Sequence, residues 1–113
     1  MEDRFLQQLK KGVLEMLVLE AVCGGQTYGY ELLGRLKDRS DGLFTLKEGT
    51  LYPILYRLED EPFVSASWSA GLGRNAPKKI YTATDAGQKE AMRRRAIWEQ
   101  FAGMVEKFRE ENV

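Results

Sequence analysis

Apolar positions recur at helical spacing in four stretches of the chain and gather in two short extended ones. Between residues 5 and 23, Leu6, Leu9, Val13, Leu17 and Ala21 form one stripe. Leu14, Val18 and Val22 broaden it, so from Val13 onward this first helix reads as buried on most sides. Gly24-Gly25 ends it as a C-terminal cap and turn. A second helix is predicted from about Tyr28 to Arg39, capped by Thr27, with Leu32, Leu33 and Leu36 inward and Ser40-Asp41-Gly42 as its stop. A third carries Leu51, Leu55 and Leu58 at i, i+4, i+7, widened by Ile54. Thr45 and Glu48 have capping-box spacing at its start, and Pro62 bars it from continuing past Asp60-Glu61. Pro53 lies inside this helix, where it lacks an N–H and crowds the carbonyl of Gly49, whose lack of a side chain gives the backbone room.

Residues Phe63 to Ser69 and Lys78 to Thr82 are rich in aromatic and β-branched types and read as two strands. Turn residues from Ala70 to Pro77 join them into a hairpin. Thr82 and Asp85, again with capping-box spacing, open a last helix that runs to about Glu111. On it Trp98, Phe101, Val105 and Phe108 step by three, four and three, and Ile97 and Met104 widen the seam. That stripe is long for so small a core, which favours a helix from a second copy as its cover. The expected fold is therefore mainly α with a small β-hairpin (α+β). Residues 1–84 form a helix-turn-helix with a wing, and residues 85–113 a C-terminal dimerisation helix.

A chain of 113 residues fits one domain with a sizeable core. No apolar run nears the ~20 residues of a membrane span, and the charged start lacks a signal peptide's apolar region, so the expected setting is the cytoplasm. Lysine and arginine number 17 and so do the acids, leaving no net charge to announce a nucleic-acid partner. Their distribution is uneven: Arg74, Lys78 and Lys79 lie in an acid-free stretch, while acids gather at Glu59 to Glu61 and from Glu106 to Glu111. The one cysteine, Cys23, lies in an apolar helical run and reads as a small hydrophobe rather than a redox sensor.

Catalysis finds little to work with. The chain has no histidine, which removes histidine triads and His-ligated metal sites, and Cys23 has no base partner. Gly71-Leu72-Gly73 is not followed by a helical pattern, no phosphate-loop motif is present, and no cofactor is expected. The outer face of the third helix instead carries Lys47, Thr50, Tyr52, Tyr56 and Arg57, types that hydrogen-bond to phosphates and base edges. An ordinary solvated face accounts for the same residues, and solvated hairpin charge accounts for Arg74, Lys78 and Lys79.

The run Glu48-Gly49-Thr50-Leu51-Tyr52-Pro53, with Leu55 and Arg57-Leu58-Glu59, resembles the recognition-helix signature of the PadR family of bacterial transcriptional regulators. Leu9 to Glu15 and Tyr28 to Leu32 resemble that family's first two helices, and Lys78 to Gly87 its second wing strand and the start of its last helix. The resemblance covers roughly residues 9 to 105, and it departs at Pro62, where the family usually has glycine. It implies a winged helix-turn-helix that binds double-stranded DNA as a homodimer, in the manner of a repressor at an inverted-repeat operator. Lys47, Gly49, Thr50 and Tyr52 would approach the major groove, Gly49 by its backbone. Lys10 and Lys11 would hold phosphate, Tyr28 and Tyr30 would lie near the DNA backbone or pack the helix junction, and Arg74, Lys78 and Lys79 would form the wing contact. Ile97, Trp98, Phe101, Met104, Val105 and Phe108 would form the dimer interface, with Trp98 either stacking on a small aromatic effector or packing in that interface. Arg93-Arg94-Arg95 reads as an ion-pair face. The alternative is a winged-helix module for protein contacts, which salt-dependent DNA affinity would tell apart.

Overall fold

Side chains from every helix meet in one apolar cluster. It comprises Val18, Leu19 and Val22; Leu32 and Leu36; Phe44; Leu51, Ile54, Leu55 and Leu58; and Val64, Tyr81 and Ala91. The computed structural model describes residues 3–71 and 76–111. In chain order its elements are α1 (Arg4–Cys23), β1 (Thr27–Tyr28), α2 (Gly29–Arg39), α3 (Glu48–Asp60), β2 (Val64–Trp68), β3 (Lys79–Ala83) and α4 (Asp85–Glu111). The mainly α architecture with a small hairpin is the one expected. The sheet, however, has a third strand, in antiparallel order β1-β3-β2. With two residues, β1 is too short to leave a periodic signal.

The helix stripes orient differently from expectation in α1. Val18, Leu19 and Val22 are the fully buried residues, whereas Leu6, Val13, Leu17 and Ala21 are half-buried and Leu9 is exposed. Part of the longer stripe turns toward α4, where Leu9, Val13 and Met16 face Ile97, Trp98 and Phe101 across a cavity of about 460 Å³, while Val13, Leu17 and Ala21 also pack against the edge of the core. Val18 and Val22, expected to broaden the stripe, carry the central contact together with Leu19.

Helix starts are the other correction. The hydroxyl of Thr45 donates to the carbonyl of Gly42 (2.7 Å) within the preceding turn, so α3 begins at Glu48 with Lys47 as N-cap and no side-chain cap bond. Thr27 is likewise not a cap: it is buried in β1 and its hydroxyl donates to Glu31 (2.8 Å), leaving Tyr28 at the N-cap of α2. Thr82 is still paired to Ser65 in the sheet, and Thr84 caps α4 by accepting the N–H of Gly87 at 3.0 Å. A capping-box spacing counts residues, and a hydroxyl already held by a turn or a strand cannot serve it.

Pro62 fits where the resemblance leads one to expect glycine. α3 closes with the N–H of Phe63 on the carbonyl of Leu58 (2.8 Å), and the Thr84 hydroxyl donates to the Pro62 carbonyl (2.9 Å). No left-handed residue is used there, since Asp41 is the only non-glycine with positive φ among the described residues. A glycine is instead required at residue 87. A Cβ there would run into the carbonyl of Phe63, so α4 starts with its backbone laid directly on the entry to β2.

Arg93-Arg94-Arg95 is engaged within the chain. Glu90 accepts from Arg93 (2.8 and 2.9 Å) and Arg94 (2.7 Å), while Arg95 makes a two-bond pair with Glu20 of α1 at 2.7 and 2.8 Å. Arg94 also reaches Glu61 at 3.9 Å, beside the end of α3. Hydrogen bonds from Arg93 and then Arg94 hold the Glu90 carboxyl down, from an ordinary 4.5 to about 2.

Two outcomes are expected from this packing. Gly87→Ala should lower stability by about 1–3 kcal/mol in chemical denaturation, because the colliding atom belongs to the backbone and cannot swing aside. Glu90→Gln should be less stable than the parent at neutral pH. A depressed carboxylate contributes fully above its unfolded-state pKa and loses that contribution as pH falls through the folded one. The gap between the two proteins should therefore close between about pH 4.5 and pH 2.

Candidate nucleic-acid interface

The exposed flank of α3 begins at its N-cap. Lys47 is exposed, and its carbonyl accepts the N–H groups of Thr50 (3.0 Å) and Leu51 (3.1 Å), which winds the first turn tightly. Gly49 and Thr50 are exposed, and open space surrounds the point where a Gly49 side chain would stand. Opposite them Leu51, Ile54, Leu55 and Leu58 are buried, so hydrophobic burial alone fixes which way this helix faces.

Tyr52 is half-buried, and its position depends on α2. A Cβ on Gly29 would overlap the Tyr52 hydroxyl, so the missing side chain of Gly29 is the seat for the end of that phenol. Tyr52 then lies beside Tyr56, with ring centroids 6.1 Å apart. Together with Tyr28, Tyr30, Trp68, Pro77, Lys78 and Lys79 they line a cleft of about 660 Å³ between the start of α2, α3 and the hairpin. A smaller cleft of about 310 Å³ lies elsewhere along α3, where Lys11, Leu14 and Glu15 of α1 meet Gly49, Thr50, Pro53 and Arg57. Glu15 accepts from Arg57 at 2.9 Å and ties the two helices together.

The candidate residues thus separate into groups. Tyr28, Tyr30, Tyr52, Lys78 and Lys79 share the larger cleft; Lys11, Gly49 and Thr50 share the smaller one. Lys47 stands exposed at the head of α3. Lys10 lies apart from both, with its ammonium 5.5 Å from the ring centroid of Phe44. Arg74 lies outside the described residues.

The two wing lysines differ in what holds them. Lys78 is exposed and its ammonium stands 4.3 Å over the ring centroid of Tyr28. Lys79 turns inward to Glu59 at 3.3 Å, over the rings of Tyr56 and Tyr81. Burial works against the Lys79 charge, but the Glu59 hydrogen bond and the neighbouring Tyr81 and Glu59 more than offset it and hold its pKa above the ordinary value. The Tyr81 hydroxyl is pushed up by burial, with Lys79 opposing.

Sequence reasoning passed over Trp68 as a surface residue of this cleft. The signal was the period of two: Val64 is buried, Ala66 half-buried, and residue 68 falls on the same face, past the end of the core. On α4 the residues Ile97, Trp98, Phe101, Met104, Val105 and Phe108 are 41–62% exposed and form a continuous apolar seam. Cys23 is half-buried near the carbonyl of Gly87; burial pushes its thiol up and the Glu20 carboxylate adds to this, so it stays protonated and weakly nucleophilic. Among the described residues, no three side chains of metal-ligating type gather, and no helix is long and apolar enough to cross a membrane.

Known proteins share this fold. The family described as the transcriptional regulator PadR-like family matches residues 18–93. A crystal structure of a PadR family transcriptional regulator from Eggerthella lenta is 31% identical and superposes with a TM-score of 0.82 over 92% of this chain and 88% of that one. A transcriptional regulator from Clostridium thermocellum is 25% identical, with a TM-score of 0.80 over 89% of this chain and 97% of that one. The negative transcriptional regulator PadR of Bacillus subtilis is 31% identical over 78 residues, which are 69% of this chain and 42% of that protein. The chain therefore matches less than half the length of that relative.

Proposed function

Because the chain belongs to the PadR-like family, whose members are transcriptional regulators and not enzymes, we propose that it is a homodimeric, sequence-specific repressor of an inverted-repeat operator. The observation that carries this reading is the exposed N-terminal half of α3, bordered by two clefts that collect tyrosines and lysines from α1, β1, α2 and the hairpin. On this reading Lys47, Gly49, Thr50 and Tyr52 read the major groove. Lys11, Tyr28, Tyr30 and Lys78 bind backbone phosphates, and Arg74, Lys79 and Lys10 add to the positive field. The similarity to the negative transcriptional regulator of Bacillus subtilis supports repression over activation.

Residues 1–84 serve as the DNA-binding unit and 85–113 as the dimerisation helix, although Gly87 and Ala91 also pack into the core. The exposed seam on α4 supports pairing with a second copy, which would set two α3 helices in successive major grooves about 34 Å apart. The cavity of about 460 Å³ beside Trp98, lined by Gln8, Leu9, Gly12, Val13 and Met16, supports a small flat aromatic effector that reshapes the pairing and releases DNA. An unchanged tryptophan emission and operator affinity across a panel of such compounds would remove the effector from this reading.

Binding to the DNA upstream of its own gene is expected to exceed binding to a shuffled fragment and to fall steeply with salt. Tyr52→Ala should weaken binding roughly tenfold or more, while Lys78→Ala should lower it on both fragments and flatten the salt slope by about one unit. A folded protein that binds neither fragment at low salt points instead to a protein-interaction module. In sedimentation the parent chain should run as a dimer and Phe101→Glu as a monomer, because a charge in the seam cannot be desolvated without a partner. A parent chain that sediments as a monomer removes the dimer.

A further inference from the structure

Trp68 is 68% exposed, yet it lies on the face of β2 that carries the buried Val64. The strand has run past the core and holds an indole over open space, on the side of α3 that bears Tyr52 and Tyr56. A single exposed ring is common on a protein surface, but this one borders a cleft lined by further aromatic rings and lysines and so forms part of a continuous contact surface. Its surroundings narrow the partner. The cleft is lined by phenols and by Lys78 and Lys79, and among the described residues no carboxylate lines it. Glu59, the nearby acid, is already taken by Lys79 at 3.3 Å. Lys78 is held at the rim by the Tyr28 ring, so its ammonium is set in place before anything binds. Hydroxyl donors and one cation are the equipment for a phosphodiester, and flat apolar faces suit the sugar between two of them. Because Tyr52 and Tyr56 belong to α3 itself, a strand bordering the groove that α3 enters would run along this cleft.

We infer that Trp68 contacts DNA, laying its indole against the deoxyribose-phosphate strand that borders the α3 groove, with Lys78 and the hydroxyls of Tyr28 and Tyr30 on the flanking phosphate. This rests on the reading of α3 as the DNA-reading helix. A sugar contact carries no base information, and the indole carries no charge. Trp68→Ala therefore lowers affinity for specific and shuffled DNA alike and leaves the salt slope unchanged.

The test uses the full chain labelled with 5-fluorotryptophan, which gives two fluorine resonances for its two tryptophans. Loss of one signal in Trp68→Phe assigns it. Titration with a duplex from the upstream region and with a shuffled duplex is expected to shift the Trp68 resonance in both cases. Trp68→Ala should weaken both complexes about tenfold, the scale of burying part of one large apolar side chain, while Trp68→Phe keeps most of the affinity. Unchanged circular dichroism in both variants separates contact from misfolding. An unshifted Trp68 resonance in a complex that forms, with unaltered affinity in Trp68→Ala, overturns the inference and leaves DNA binding intact. Loss confined to the upstream duplex overturns the sugar-phosphate assignment in favour of a base contact. A parent protein that binds neither duplex overturns this inference together with the reading on which it rests.

Discussion

The pairing of β3 on both of its edges is the constraint from which the rest of the surface follows. A two-stranded hairpin has little stability of its own; a third strand and a covered face make it part of the fold. Here β1 supplies that strand through Thr27 opposite Tyr81 and Tyr28 opposite Ile80, and Tyr81 is buried at the centre. Tyr28 also serves as the N-cap of α2. The sheet therefore decides where α2 starts, and Gly29, the next residue, receives the end of Tyr52 from α3. Wing, second helix and third helix are thus fixed to one another through a few consecutive residues, and no long loop intervenes.

Charge is handled in a similarly local way. The chain is neutral, but its ions are not evenly committed. Arg35, Arg57, Arg93, Arg94, Arg95 and Lys79 each pair with a glutamate, and those pairs join α1 to α3, α1 to α4, and the hairpin to α3. Lys11, Lys47 and Lys78 lie on or beside the exposed flank of α3 outside these pairs, together with the acid Glu48 of its first turn. Neutral composition is compatible with several cations collecting along one face.

Helix number, helix lengths and the hairpin were legible because burial at i, i+4, i+7 leaves a strong pattern, as in Leu51, Leu55 and Leu58. What could not be read depended on competition at single groups. Thr45, Thr27 and Thr82 all had spacings suited to caps, yet each belonged to a turn or strand, which only the tertiary arrangement decides. The strand β1 escaped notice for want of length. In the candidate interface, Tyr52 and Lys78 were legible as polar residues outside the apolar stripes. The inward turn of Lys79 toward Glu59 was not, since 20 residues separate the partners. Trp68 was passed over for a different reason: its period of two with Val64 gave its face, but nothing local revealed that the core ends before residue 68.

Pro53 sets the mechanical character of α3. It has no N–H to give to Gly49, and the head of the helix has no side-chain cap, while the N–H groups of Thr50 and Leu51 both bond the carbonyl of Lys47. The following turns are anchored by the buried Ile54, Leu55 and Leu58. The front half is seated too, by the fully buried Leu51 and by the Tyr52 ring held at Gly29, so the missing bond at Pro53 is a single soft rung between two packed ends. A backbone released at one rung and packed on either side of it can bend slightly there without unseating either end, which a uniformly bonded helix does only at greater cost.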